Sequence, residues 1–383
     1  MDAVPIRVAF NATPLLSPLT GIGNYIVELG RAFAQLGGVD AYSYYRYRWR
    51  EGRPQPPQAA DGAPSLVQRV RPWLPFRSAL RRAVHGVGFA AGLPRYRIQV
   101  YHEQNYVPLS YDVPVVVTIH DLSWVRYPET QPPDRVRWLS RGVPEALERS
   151  SAILVDSDFV RSEVVATFGV APERVTTAHL GVGAAFHPRP DAATAGTLRA
   201  LGLRHGAYVL TVGTIEPRKN VAHVLEAYAM LPAALRERYP LVVAGAHGWR
   251  SPAMIGRLRE LADRGQIRFL GRVAAAMLPD LYAGAALFVF PSRYEGFGLP
   301  PLEAMASGVP VVVSDRASLP EVVGDAGWTL DPDRPDATAL TIAAALDDSA
   351  ARTAIASRGL ERAARFTWAA CAATTRATYR AIL

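Results

Sequence analysis

Short apolar runs rich in β-branched residues, each followed by a stretch of helical periodicity, recur along all 383 residues, and this alternation limits the fold more than any other feature. It is the pattern of βαβ units with parallel sheets. In the first half it predicts strands at residues 6–10, 41–45, 98–101, 115–119, 153–156 and 175–178, with helices at 24–36, 134–149 and 158–168. Gly181-Val182-Gly183, then His187-Pro188-Arg189-Pro190 and an Ala/Thr/Gly stretch, interrupt the pattern and read as a linker. A second series follows, with strands at 208–212, 241–244, 267–270, 286–290 and 309–313 and helices at 221–231, 252–264, 274–282 and 301–306. The expected division is a Rossmann-like domain over 1–182, a linker region over 183–206, a second domain over 207–365, and a last helix, 366–383, that crosses back to the first. Two doubly wound halves leave a cleft where the carboxyl ends of both sheets face a ligand.

The longest apolar runs, such as Val113 to Ile119 and Ala283 to Pro291, fall far short of the roughly 20 residues of a membrane span. Met1-Asp2-Ala3-Val4-Pro5 leads directly into a strand without a basic, then apolar, leader. The single cysteine, Cys371, has no partner for a disulfide or a thiolate metal site. A cytoplasmic protein is expected.

The net charge of +8 is local: residues 46–97 hold eleven Arg against Glu51 and Asp61, and the rest of the chain is about neutral. Arg in this segment is interleaved with Tyr42 through Trp49, Val70, Trp73, Leu74, Phe76, Leu80 and Phe89. Such a mixture suits either an anionic membrane surface, at the inner face of the cytoplasmic membrane, or packing on the first domain with solvated Arg. No RNA-binding motif accompanies it, so no nucleic acid partner is expected. Of 42 basic residues only one, Lys219, is lysine. A flexible ammonium differs from a planar guanidinium as a phosphate ligand, which marks Lys219 for a chemical role.

Lys219 lies in Gly213-Thr214-Ile215-Glu216-Pro217-Arg218-Lys219-Asn220, where a strand ends and a helix begins. Free backbone N–H groups, a positive helix end and two adjacent cations suit a diphosphate. Tyr294-Glu295-Gly296-Phe297-Gly298-Leu299-Pro300-Pro301-Leu302-Glu303 forms a second such junction. Its glycines and prolines allow Glu295 and Glu303 to turn toward one pocket, where carboxylates bind vicinal hydroxyls. The Gly298 and Leu299 amides suit phosphate oxygens. His120 follows the strand at 115–119 and is expected at the cleft. Asp156-Ser157-Asp158 reads as a helix N-cap rather than a metal motif. No Walker loop, zinc signature or nucleophile elbow occurs, and no essential metal or other cofactor is expected.

With Gly21-Ile22-Gly23-Asn24 and Thr118-Ile119-His120-Asp121-Leu122 added, these pieces resemble, in order and spacing, the retaining GT-B glycosyltransferases of family 4 over nearly the whole chain. The resemblance implies two Rossmann-like domains facing across a cleft. It implies that Arg218 and Lys219, beside Gly213, hold the donor diphosphate, that Glu295 meets the donor sugar and that Glu303 meets the ribose. Phe269-Leu270-Gly271-Arg272 would contact the base, His120 would lie by the reacting centre, and Gly21 and Gly23 would leave room for donor or acceptor. Thr214 departs from relatives that carry a further basic residue there.

The form of the His120 and Arg218-Lys219 motifs resembles mannosyltransferases of bacterial surface-polysaccharide assembly. That implies a hexosyl transfer from a nucleotide-sugar donor, GDP-mannose first and dTDP-rhamnose or a UDP-sugar next, to a lipid-linked or polysaccharide acceptor. Two other readings stay open at this point: a GT-B sugar-nucleotide epimerase, and a non-catalytic basic protein that binds membrane or RNA.

Overall fold

The computed structural model describes residues 4–17, 19, 21–56 and 85–383. Two sheets organise them. In the first half β1 (Ile6–Asn11), β2 (Val39–Tyr45), β3 (Arg48–Glu51), β4 (Val100–Glu103), β5 (Val115–Ile119), β6 (Ala152–Val155) and β7 (Val175–Thr177) pair in the order β3-β2-β1-β4-β5-β6-β7. All pairs are parallel except β2–β3. In the second, β8 (Val209–Val212), β9 (Leu241–Ala244), β10 (Arg268–Gly271), β11 (Leu287–Phe290), β12 (Val311–Ser314) and β13 (Trp328–Leu330) form an all-parallel sheet, β10-β9-β8-β11-β12-β13. The central strands read Val-Val-Val-Thr-Ile in β5 and Leu-Phe-Val-Phe in β11, and every residue in both is buried. A parallel strand covered by helices on both faces needs such an unbroken apolar run.

The order reverses between β1 and β4 in one sheet and between β8 and β11 in the other. These are the points where adjacent loops diverge and leave a crevice. Helix α1 (Gly21–Leu36) follows β1, and α2 (Pro133–Arg149) and α3 (Asp158–Phe168) flank β6. Ser157 caps α3 by accepting from the Val160 amide at 3.2 Å, and Gly169, left-handed at φ 66°, ends it. Helix α4 (Asp191–Ala200) lies within the stretch expected to be linker. Its Ala/Thr/Gly composition carries little periodicity, and it is set by Leu198, which is buried in the same apolar cluster as Leu281 and Tyr282.

In the second half α5 (Val221–Ala229), α6 (Pro252–Asp263), α7 (Leu278–Ala283), α8 (Leu299–Ala306), α9 (Leu319–Val323), α10 (Pro335–Asp347) and α11 (Ser349–Ala363) cover the sheet, and α12 (Trp368–Ala381) ends the chain. Helix α12 returns to the first half: Tyr379 packs 5.8 Å from Phe33 of α1, and its hydroxyl bonds His102 Nδ1 at 2.6 Å. A Cβ on Gly181 would meet the Trp368 nitrogen at 2.1 Å, so only glycine lets the connecting chain pass α12.

The antiparallel edge β3 was not expected. Its Arg-Trp-Arg-Glu sequence has no apolar run, and the turn before it uses Arg46 and Tyr47 at positive φ without a glycine. It places Trp49 against Phe89, stacked at 5.0 Å, with Tyr44 and Tyr96 also in ring contact. Phe89 is wholly buried. Trp49, Phe89, Tyr44 and Tyr96 of the basic segment therefore pack together on the first half, while Tyr47 stays exposed. Val70, Trp73, Leu74, Phe76 and Leu80 fall outside the described residues. No helix among the described residues is long and apolar enough to cross a membrane.

Candidate active site

At the second switch point the loops leaving β8 and β11 are bound together. After β8 the chain turns through Pro217–Lys219, and Asn220, left-handed at φ 55°, ends the turn and opens α5. Asparagine tolerates that conformation, and its side chain fixes the turn by donating to the Pro332 carbonyl at 2.9 Å. After β11, the Arg293 amide donates to the Arg218 carbonyl at 2.9 Å, while the Arg218 guanidinium donates to the Tyr294 carbonyl. Lys219 Nζ consequently lies 2.5 Å from Glu295 Oε1, Arg218 Nη1 3.3 Å from Glu295 Oε2, and Arg218 Nη2 2.7 Å from Glu216.

These four side chains are only 9 to 14% exposed. Burial alone would raise the Glu295 carboxyl, but Lys219 and then Arg218 hold it below the usual range. Arg218 is raised in turn: burial would lower it, and Glu295 and Glu216 outweigh that. From the first half, Asp121 is also held low against its burial, chiefly by Arg218. Two cations thus face three carboxylates in a nearly dry setting. A diphosphate can exchange for Glu295 on the two cations, which releases the Glu295 carboxylate to accept sugar hydroxyls.

His120 follows β5 and meets this cluster from the first half. Its Nδ1 lies 2.8 Å from Asp156 Oδ2 and its Nε2 2.9 Å from the Gln104 carbonyl. Both neighbours accept, so the pair holds one proton more than a neutral ring and a bare carboxylate would. Burial alone would lower the His120 pKa, and Asp156 more than reverses this. Tyr25 and Tyr106 wall the ring edge-on at 4.9 and 5.9 Å. Asp156 was read from sequence as part of a helix-cap motif. Its role beside His120 follows from the adjacency of β5 and β6, which no local pattern reveals.

The two halves touch here. Ser157 Oγ donates to the Gly296 carbonyl at 2.7 Å, and the Leu122 amide donates to the Tyr294 hydroxyl at 2.9 Å. That hydroxyl donates to Glu163, which also pairs with Arg126 at 2.6 Å. A Cβ on Gly296 would lie 1.8 Å from the His120 carbonyl oxygen. Glu321 of α9 caps α3 across the same boundary, accepting from the Asp158 and Phe159 amides at 2.8 and 2.9 Å and bonding His179 at 2.7 Å. Trp249, after β9, lies 5.2 Å from the Arg135 guanidinium, which sits 5.7 Å from Tyr106 on the other side. Sequence periodicity gave no sign of this stack.

The remaining sequence-predicted residues are placed as follows. Helix α1 starts at Gly21, not Asn24, so Gly21 and Gly23 lie in its first turn, where N–H groups need no partner within the helix. Gly21 has open space around it, and Gly23 abuts the end of the Leu19 side chain. At Gly213 a Cβ would make only ordinary contacts, with Phe290 and Lys219. The close approach is at Gly245, whose Cβ would fall 1.8 Å from the Gly213 carbonyl oxygen. Leu270 and Gly271 end β10, with Gly271 at φ 59°, and its carbonyl accepts from the Gly245 amide at 2.7 Å. Gly298, at φ 122°, precedes α8, so the Leu299 amide opens that helix ahead of two prolines.

Glu303 does not join the Lys219 cluster. It lies in α8 beside Tyr282, where burial pushes its carboxyl from 4.5 up to about 7, a rise the neighbouring hydroxyl partly offsets. A carboxyl whose pKa is raised by folding stabilises the fold least when ionised, so its contribution is lost as pH rises from about 4.5 through 7. Because the residue is only half-buried, Glu303→Gln is expected to gain about 1–2 kcal/mol over the wild type at pH 8. The gain should vanish near pH 4.5, where glutamate is protonated too. Urea midpoints at both pH values check this; an equal difference at both would show that Glu303 is not held near neutrality.

The fold that frames this site is that of the GT-B glycosyltransferases. Sucrose-phosphate synthase from Thermosynechococcus elongatus superposes with a TM-score of 0.74 at 21% identity over 99% of both chains. Anabaena HepE, solved in complex with UDP and glucose, does so at 0.73 and 17% identity, covering 98% of this chain and 100% of its own. Residues 19–186 match the Glycosyltransferase Family 4 domain and residues 201–362 the domain of Glycosyl transferases group 1. O-antigen chain mannosyltransferase B of Escherichia coli is 37% identical over 380 residues, 98% of this chain and 100% of the relative. The chain belongs to glycosyltransferase family 4 and is a glycosyltransferase.

Proposed function

We propose that the chain transfers mannose from GDP-mannose, with retention at the anomeric carbon, to a hydroxyl of a lipid-linked or polysaccharide acceptor in bacterial surface-glycan assembly. The observation that carries this is the cation pair Arg218–Lys219 locked to Glu295 at the second switch point, 3.3 and 2.5 Å from its two oxygens. It suits a diphosphate and the adjoining sugar. The identity to an O-antigen mannosyltransferase supports mannose as the sugar.

The difficult event is departure of the nucleoside diphosphate. Arg218, Lys219 and the open amides at Gly298 and Leu299 stabilise the negative charge that develops on it, without an essential metal. Glu295, released from Lys219, and His120, held by Asp156, orient the sugar as it gains positive character. The acceptor attacks from the face the diphosphate leaves, which keeps the configuration at the anomeric carbon. A lipid-borne acceptor would bring the enzyme to an anionic membrane surface, and the Arg of residues 46–97 supply complementary charge.

The test is to incubate the protein with GDP-mannose and a mannoside-terminated acceptor, then follow free GDP and read the new anomeric centre by NMR. GDP and an α-linked product are expected. A β-linked product would refute retention, and an altered nucleotide sugar without GDP would make the protein an epimerase. Product from dTDP-rhamnose or a UDP-sugar alone would replace the donor.

A further inference from the structure

The first sheet has its own switch point, between β1 and β4, and the donor cluster does not use it. The two strand ends there are tied by Asn11, whose amide donates to Glu103 Oε2 at 3.0 Å. Glu103 is fully committed to the tie: Oε2 also accepts from the Tyr101 hydroxyl, and Oε1 accepts from the Asn105 amide at 2.8 Å. Gln104, next in the chain, is wholly buried, yet neither Oε1 nor Nε2 has a hydrogen-bond partner among the described residues. Thr13 Oγ1, just past the end of β1, is buried and unpartnered in the same way. Native proteins seldom leave such groups unmet, and a switch-point crevice is where a ligand's own donors and acceptors complete them.

Gln104 also stands next to the reacting centre. Its carbonyl accepts from His120 Nε2 at 2.9 Å. His102, two residues earlier in β4, bonds Thr118 at 2.7 Å, with Tyr25 of α1 3.2 Å from the same hydroxyl.

We propose that Gln104, together with Thr13, binds the hydroxyls of the acceptor saccharide. A carboxamide donates and accepts at once, as a vicinal pair of sugar hydroxyls does, and a threonine hydroxyl does the same. Neither group is charged, so the ligand they fit is a neutral sugar and not a phosphate or a carboxylate. The inference rests on the transferase reading above and names the acceptor side of that site. Entry of the acceptor requires the halves to part at Gly296.

The probe is methyl α-mannobioside titrated into the complex of the protein with GDP, with binding read by saturation-transfer NMR. The variants are Gln104→Leu and Thr13→Val, which keep shape and remove the polar groups. Each is expected to weaken the disaccharide about tenfold or more while GDP affinity stays at the wild-type value. The thermal midpoint of Gln104→Leu should be unchanged or higher, because an uncompensated buried amide has been removed. A purely structural glutamine would give the reverse, a lower midpoint and an unmoved saccharide affinity. Equal binding of the disaccharide by wild type and Gln104→Leu, or none by the wild-type GDP complex, would overturn the proposal. Failure of the wild type to bind GDP at all would instead remove the transferase reading beneath it.

Discussion

Lys219→Ala is expected to lower the rate of transfer about 10²–10³-fold, the usual effect of removing one group that meets charge developing in the transition state. The ammonium lies 2.5 Å from Glu295 and is mostly buried, so no solvent cation substitutes for it. Its loss has a structural cost as well. The Glu295 carboxylate keeps Arg218 at 3.3 Å, so the fold should lose about 1–3 kcal/mol, less than a fully orphaned buried charge would take. The double variant Lys219→Ala/Glu295→Gln separates the two effects. It should regain most of the stability and none of the activity. Recovery of transfer in the double variant would mean that Lys219 serves only to neutralise Glu295.

The other large effect is expected at Gly296→Ala. The new methyl would fall 1.8 Å from the His120 carbonyl oxygen and 3.0 Å from the Asp121 Cβ. Both obstacles belong to short, buried segments after β5, and neither can swing aside as a flexible side chain would. The halves must stay apart by about an ångström or more, and misplacement on that scale costs roughly 10²-fold in rate. Arg218, Lys219 and Glu295 all lie on the loops after β8 and β11, so GDP should bind to Gly296→Ala as to the wild type. Steady-state transfer beside calorimetric GDP affinity checks the pair of outcomes. Normal transfer would show that the contact between Gly296 and His120 is not part of the working enzyme.

The sheets were legible in the sequence because their strands are buried on both faces, which writes them as unbroken runs such as Val115–Ile119 and Leu241–Ala244. The edge strands β3 and β13 were not, since an edge needs no apolar run and three or four residues carry no period. Helix α4 reads as linker in the sequence for a related reason: only Thr194 and Leu198 are buried in it.

At the site, Arg218, Lys219 and Glu295 stood out because one lysine among 42 basic residues and a Gly/Pro-rich loop are local signals. The pairing of His120 with Asp156, 36 residues away, and the glycines at 245 and 296 answer to contacts between strands or between halves. A single sequence holds no trace of such contacts. Glu303 stands beside Tyr282, a side chain from an earlier helix that no local pattern could pair with it.

Calorimetric titration of GDP, UDP and dTDP into the wild type and Lys219→Ala tests most directly whether the second switch point holds a nucleoside diphosphate. The wild type should bind GDP best, and Lys219→Ala should bind it at least about tenfold more weakly. Equal affinity of both proteins for GDP, or no heat with any of the three, would contradict a donor site built on Arg218, Lys219 and Glu295.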